Sequence, residues 1–284
     1  MVPALLLLTM LNLWGQSSMA QPNPDFLANI RAINGLVAVW DFKEKPGHNR
    51  TAFGLGKFPL QEINGRIERI KEGPLSGYSV LLNDSGYLKL PNDKTGALNI
   101  HGKDRQVTVV AWIKWTGNTG FVGGMWNEYL EGGKRQYGLF VSLPYYNGAD
   151  QVCGHISKTG KPTPPFPYSI DYAASKQTLK KGEWQCVAFT YDGDSIKSYL
   201  NGKFEPREPE LISHTKGFES FPEGLTQSKN PYYFPDGIGN NGSDFTVGAV
   251  LLKSGMGNFF RGQIGGLAVF NRALQQAELK KLSI

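Results

Sequence analysis

The densest run of ligand-binding side chains lies mid-chain, where Met125-Trp126-Asn127-Glu128-Tyr129 is followed by Lys134-Arg135-Gln136-Tyr137. Trp126 and the tyrosines offer flat ring faces that pack on C–H surfaces. Asn127, Glu128, Arg135 and Gln136 offer donors and acceptors that can fork onto neighbouring hydroxyls. Further on, Gln151, Cys153, His155 and Ser157 share one face of an alternating segment, with Val152 and Ile156 on the other. If Val152 and Ile156 enter a core, His155 points away from it. His155 is then either a working group on an open face or a histidine buried under the proline-rich stretch after it. Arg135, Gln136, Tyr137 and His155 supply the types that could neutralise an acidic sugar and move a proton, with Glu128 as a further catalytic candidate. Glu128 has no alternating carboxylate partner, whereas a retaining glycosidase needs two carboxylates about 5 Å apart. Binding therefore ranks above catalysis.

Oxygen ligands gather elsewhere. The loop 236–244 (DGIGNNGSD) carries Asp236 and Asp244, and Asp41 and Glu44 stand at the end of the first strand-like run. Hard oxygen ligands suit Ca2+, which makes Asp41, Glu44, Asp236 and Asp244 the metal candidates. The loop lacks the spacing of an EF-hand, and Asn-Gly clusters are more often plain turns. A turn is the preferred reading.

The elements that must position these groups are short and mostly extended. Apolar alternation broken by Gly, Asn, Asp and Pro predicts strands over 36–42, 78–82, 87–90, 107–115, 137–143, 151–157, 184–191, 196–200, 245–251 and 262–270. Asp192-Gly193 and Asn201-Gly202 are tight-turn signals that fold the chain from 184 onward into a three-stranded meander. Val109, Ala111, Ile113 and Trp115 alternate with Val110 and Trp112, so that strand is apolar on both faces. It belongs mid-sheet, covered on one side by a second sheet and on the other by loops or ligand. Helical spacing appears only near the ends, in Phe26, Leu27, Ile30 and Ile33 and in Ala273, Leu274, Ala277, Leu279 and Leu282. Two long loops, 158–181 and 204–242, are rich in proline and aromatics, the second holding Tyr232 and Tyr233. They are expected to frame a site.

Composition bounds the rest. The 284-residue chain has 35 Gly, 16 Phe, 12 Tyr and 6 Trp with 19% charged residues, as expected of an all-β chain rich in turns. The apolar run from Leu5 to Leu13, closed by Ser18-Met19-Ala20, reads as a secretory leader over 1–20, leaving 21–284 as one domain. No later stretch is apolar enough to span a bilayer. The net charge of +6 suits acidic glycans but is scattered among acidic residues, and no nucleic-acid footprint is present. After export, the even count of cysteines makes a Cys153–Cys186 disulfide the expectation, with two buried thiols as the alternative. Asn49, Asn83 and Asn241 open formal N-glycosylation sequons, which matter only in a eukaryotic secretory pathway.

Four ordered segments carry a family signature. Residues 39–42 (VWDF), 108–113 (TVVAWI), 184–193 (WQCVAFTYDG) with 199–202 (YLNG), and 262–274 (GQIGGLAVFNRAL) resemble the motifs of LamG-like jelly rolls of the concanavalin A superfamily. Gly265 departs where that family often has Asp or Glu, and Gln275 replaces its usual capping Ser. The resemblance implies an all-β, two-sheet antiparallel jelly-roll sandwich with short terminal helices and a concave face. That fold serves glycan-binding modules, adhesion domains, glycosidases and lyases alike, so function is read from the site. The expectation is an exported glycan-binding protein whose ligand residues are Trp126, Asn127, Glu128, Arg135, Gln136, Tyr137, His155, Tyr232 and Tyr233. The alternatives are a lyase or hydrolase acting on an acidic glycan, and a protein–protein adhesion domain.

Overall fold

The computed structural model describes residues 24–128, 133–144, 148–164, 166, 171–212, 225–227 and 229–284. The leader read at 1–20, and Tyr129 within the first candidate run, lie outside the described residues. The alternating segments form two principal antiparallel sheets. The larger has ten strands. Its main path runs β14 (Lys203–Phe204), β13 (Ser195–Leu200), β12 (Trp184–Tyr191), β7 (Val107–Trp115), β21 (Gly262–Phe270), β1 (Leu36–Trp40), β2 (Phe53–Gly54). Strand β17 (Tyr232–Tyr233) adds to β13, β5 (Ser79–Leu82) to β21, and β4 (Glu68–Ile70) to β5. The second sheet has seven strands. These are β11 (Tyr172–Ala174), β10 (Gly148–Ile156), β9 (Tyr137–Leu143), β8 (Gly120–Met125), β18 (Phe245–Val247), β6 (Tyr87–Leu90) and β3 (Gln61–Ile63). Two small hairpins, β15 (Glu210–Ile212) with β16 (Leu225–Gln227) and β19 (Val250–Leu252) with β20 (Gly255–Gly257), stand apart from both.

Period-two alternation sorts each strand between two interiors. Val109, Ala111, Ile113 and Trp115 of β7, with Val187, Phe189 and Tyr191 of β12, face the seven-stranded sheet in the main core. Val110, Trp112, Cys186 and Ala188 face the other way. This second face is covered mainly by the two helices, with Leu75 of a loop packed beside them. Phe26 of α1 (Pro24–Arg31) meets the Trp112 ring edge-on at 5.8 Å, and the Trp112 indole N–H donates to the Leu282 carbonyl at 2.8 Å, just past α2 (Gln276–Lys281). The Gln275 cap is supported from N3, where the Glu278 carboxylate accepts the Gln275 N–H at 2.9 Å and pairs with Arg272.

Glycines set how closely the layers meet. A Cβ on Gly154 of β10 would stand 2.4 Å from the Phe189 Cβ, and one on Gly123 of β8 would stand 2.9 Å from Leu267. Gly265 has a similar reason: a Cβ there would run into Pro74 at 2.6 Å and the Trp184 ring at 3.0 Å. The carboxylate missing at that position comes instead from Glu72, which accepts from the Trp184 indole and Lys114, each at 2.8 Å. Strand β8 was invisible to alternation because half of it is glycine. The single strand expected over 245–251 breaks at Gly248, whose φ of +91° ends β18 before β19 begins. Both turn signals produce the expected meander β12–β13–β14, with Asn201 and Gly202 at φ 48° and 68°.

The sheets are fastened along one side. The Ser198 N–H and C=O are both taken by the Asn230 side-chain amide, at 2.9 and 3.0 Å, between the stretches of β13 that pair with β17 and β14. The Ser198 hydroxyl donates to Ala173 of β11, and the Ala174 N–H donates to the Lys229 carbonyl.

The expected Cys153–Cys186 disulfide does not form; both residues are buried free thiols. Cys153 lies on the face of the seven-stranded sheet turned away from the ten-stranded one, and Cys186 lies on the far face of the ten-stranded sheet among the terminal helices. Both sheets lie between them. Burial pushes both thiols up to about 12, which keeps them protonated and inert. Alkylation of the denatured, unreduced protein is therefore expected to add two groups, and reductant to leave the thermal midpoint unchanged; a mass corresponding to no alkylation would contradict this.

Candidate functional site

The face of the seven-stranded sheet turned away from the main sheet-to-sheet contact carries several of the predicted residues, His155 and Trp126 among them. In β10, Gly154 meets Phe189 of the opposite sheet, so Cys153 and His155 on either side of it point outward. The cross-strand partner of His155 is Gly138 on one side and Tyr172 on the other. Gly138 leaves room above it for rings: a Cβ there would touch Phe121, Phe140 and Trp126 within 3.4 Å. The result is an aromatic nest. The His155 ring lies 4.9 Å from Trp126, 5.0 Å from Phe140 and 4.9 Å from Tyr172, centroid to centroid.

Polar groups penetrate this nest. Arg135 is 8% exposed and donates to the Gly160 carbonyl at 3.3 Å. That contact is possible because the chain crosses itself at two glycines. A Cβ on Gly160 would stand 2.4 Å from the Gly133 carbonyl oxygen, and both residues have positive φ. Gln136 is fully buried and donates to Asn99 and to the Ile100 carbonyl. Asp171, at the start of β11, is 3% exposed and accepts the Thr163 N–H at 2.9 Å. Lys229 is fully buried, its ammonium 5.6 Å from the Tyr172 ring centre. Glu128 is half-buried and accepts from the Trp126 indole at 3.3 Å. Asn127 is also half-buried, bridged through its backbone to Leu251.

Several polar atoms inside the nest are left over. Among the described residues, Arg135 Nε and both His155 ring nitrogens have no hydrogen-bond partner, and neither does Gln136 Oε1 beside Asn99 and Ile100. Burial, with the Arg135 charge nearby, holds His155 well below the usual imidazole range, so the ring is neutral. Burial lowers Arg135, opposed by the charges of Glu128 and Asp171. Burial raises Asp171, opposed by its bonds to Thr163 and by Arg135.

Three expectations are corrected here. Tyr137 is not part of the nest. It sits opposite Ile156, faces the main core, is fully buried, and donates its hydroxyl to the Leu98 carbonyl at 2.7 Å. Burial raises its pKa. The set Arg135, Gln136, Tyr137 and His155 is therefore split across the sheet, and the proton-transfer arrangement drawn from it does not assemble. Trp126 is 2% exposed, so its faces are taken by Phe140 and His155 rather than offered to solvent. Of the two loop tyrosines, Tyr232 is buried within electrostatic reach of Asp171, while Tyr233 is 62% exposed. Asp171 and Lys229 were missed, because each enters from a loop that no pattern ties to β10.

Three of the four metal candidates make other contacts. Asp41 pairs with Lys43, Glu44 accepts the Thr51 N–H, and Asp244 pairs with Lys89 while accepting the Asn92 N–H. Among the described residues no three His, Cys, Asp or Glu side chains gather as a metal would need.

A separate depression of about 590 Å3 opens at the turn end of the sandwich, lined in part by Asp84, Asn118, Asp150, Lys181, Phe259 and Arg261. None of these was expected from sequence.

The sequence pattern of the concanavalin A-like lectin/glucanases superfamily matches residues 82–280. Comparison with curated proteins returns no match. Among solved structures, the chain is similar to domain 4 of AbnA, an extracellular arabinanase from Geobacillus stearothermophilus, in complex with arabinotriose. The TM-score is 0.55 at 15% identity, covering 88% of this chain and 98% of that one. It is also similar to part of a Trypanosoma rangeli sialidase, with a TM-score of 0.52 at 14% identity. That likeness covers 88% of this chain but 32% of the sialidase. At these identities the likeness is one of fold. No helix among the described residues is long and apolar enough to cross a membrane.

Proposed function

The chain belongs to the concanavalin A-like lectin/glucanases superfamily, and from that premise we propose that it is an exported saccharide-binding module whose ligand engages the outward face of the seven-stranded sheet. The observation that carries this reading is the set of polar atoms on Arg135 and His155 that have no partner among the described residues, with the His155 ring buried among aromatic rings. Buried polar atoms are rarely left unsatisfied without a functional reason. A neutral imidazole supplies one donor and one acceptor, as a sugar hydroxyl does, and the Arg135 Nε adds a donor. Glu128 and Asn127 form the half-buried mouth, and Trp126 serves as the wall behind them rather than as a stacking platform. Arabinotriose bound to the similar arabinanase domain supports the ligand class, and the leader-like run at 1–20 supports export.

Glycan-array binding followed by titration tests this. The wild-type protein is expected to bind at least one glycan. Glu128→Gln and Arg135→Lys, each checked for native circular dichroism, are expected to weaken binding on the order of tenfold, the worth of one charge-assisted hydrogen bond. Unchanged affinity in both folded variants would remove the site from this face. Failure to bind any glycan would return the chain to the adhesion reading.

A further inference from the structure

We propose that the depression at the turn end is a second, separate binding site that takes a neutral oligosaccharide. Its volume of about 590 Å3 lies within the range of small-ligand sites, about 300–1,000 Å3. It shares no residue with the aromatic nest.

The rim is built to hold its shape. Eight non-glycine residues among those described have positive φ, and four of them, Asn118, Ser142, Asp150 and Asn258, line this one depression. Such conformations cost energy, least for Asn and Asp, and persist where surrounding structure fixes them. Here the fixing bonds are visible. The Phe121 N–H donates to the Asn258 carbonyl at 2.8 Å, and the Thr116 N–H donates to the Arg261 carbonyl at 3.1 Å, tying two rim loops together. The Asp150 N–H donates to the Ser142 hydroxyl at 3.0 Å.

The charges indicate the ligand class. Two carboxylates, Asp84 and Asp150, face two cations, Lys181 and Arg261. Arg261 forks onto Asp84 through Nε at 2.5 Å and Nη2 at 2.9 Å, and the Lys181 ammonium sits 5.8 Å from the Trp115 ring centre. With opposite charges balanced, the depression gathers neither anions nor cations by long-range attraction. Instead it presents a mixture of acceptors and donors within reach of one another, suited to hydroxyls that act as both. The half-buried Phe259 ring and exposed Pro144 add the apolar surface that a sugar's C–H face requires.

The experiment is an amide-shift titration of the full chain with xylopentaose, arabinopentaose, cellopentaose and maltopentaose, and with trigalacturonate as the anionic probe. At least one neutral pentasaccharide is expected to move the Asn118, Asp150 and Asn258 signals. Phe259→Ala and Lys181→Met, both surface changes that spare the core, are each expected to weaken that response at least tenfold, whereas Arg135→Lys leaves it intact. The proposal is overturned if no neutral probe moves the rim signals, if only trigalacturonate does, or if both rim variants respond as wild type. Shifts confined to the aromatic nest would support the first site while removing this one, so the two readings fail separately.

Discussion

Trp126→Ala is expected to lower the unfolding free energy by about 3–5 kcal/mol, the usual cost of emptying a buried aromatic position. Sequence alone suggests a milder outcome, since a ligand-stacking tryptophan is exposed and can be removed cheaply. The indole is 2% exposed, meets Phe140 edge-on at 5.8 Å and His155 at 4.9 Å, and donates to Glu128. Its removal strips two rings of their neighbour and frees the carboxylate at the mouth of the nest. Chemical denaturation would show the midpoint falling at constant slope. Tyr233→Ala is the control: with that ring 62% exposed, the change should stay within about 0.5 kcal/mol. Equal small effects for both variants would mean that the nest is not packed as described. Loss of glycan binding in Trp126→Ala would also be hard to separate from loss of structure. Glu128 and Arg135 are the better probes.

Acid should destabilise the protein through His155. The imidazole is held well below its ordinary value in the folded state and titrates near 6.5 once unfolded. Below that pH the unfolded chain binds a proton that the folded chain refuses. Stability contributed by the neutral ring is therefore fully present above about pH 6.5 and falls by up to about 1.4 kcal/mol per unit below it. Protonation would also add a positive charge beside Arg135 and near the Tyr172 ring against which Lys229 lies. Asp171 works in the opposite sense: its raised pKa means that the folded state takes up a proton first as pH falls. The informative quantity is thus the difference between wild type and His155→Phe, which keeps a ring in the nest and removes the titration. That difference should grow by up to about 2.7 kcal/mol between pH 6.5 and 4.5. Parallel acid limbs for the two proteins would show that His155 is not buried as a neutral group.

The fold was largely legible because it is written locally. Asn201-Gly202 encodes its turn in two residues, and the alternation of Val109 to Trp115 predicts both faces of β7 without knowledge of its neighbours. The site is written between strands. Alternation correctly sent His155 away from Val152 and Ile156, but whether Tyr137 joined it depended on register. His155 pairs with Gly138, and a shift of one residue would have put Tyr137 beside it on the same face. No pattern within a single segment carries that information. The disulfide expectation failed for a related reason: compartment and count say nothing about which face of which sheet a cysteine occupies. The rim depression is less legible still, since it draws residues from turns spread between Asp84 and Arg261.

Asn230 has a consequence beyond local order. An edge strand with a bare stretch of N–H and C=O groups is a template on which another chain's strand can add. Along β13 such a stretch would fall at Ser198, between the residues served by β17 and those served by β14. One side-chain amide occupies both of its backbone groups. At that point of β13 an incoming strand finds no free backbone pair on which to start a ladder.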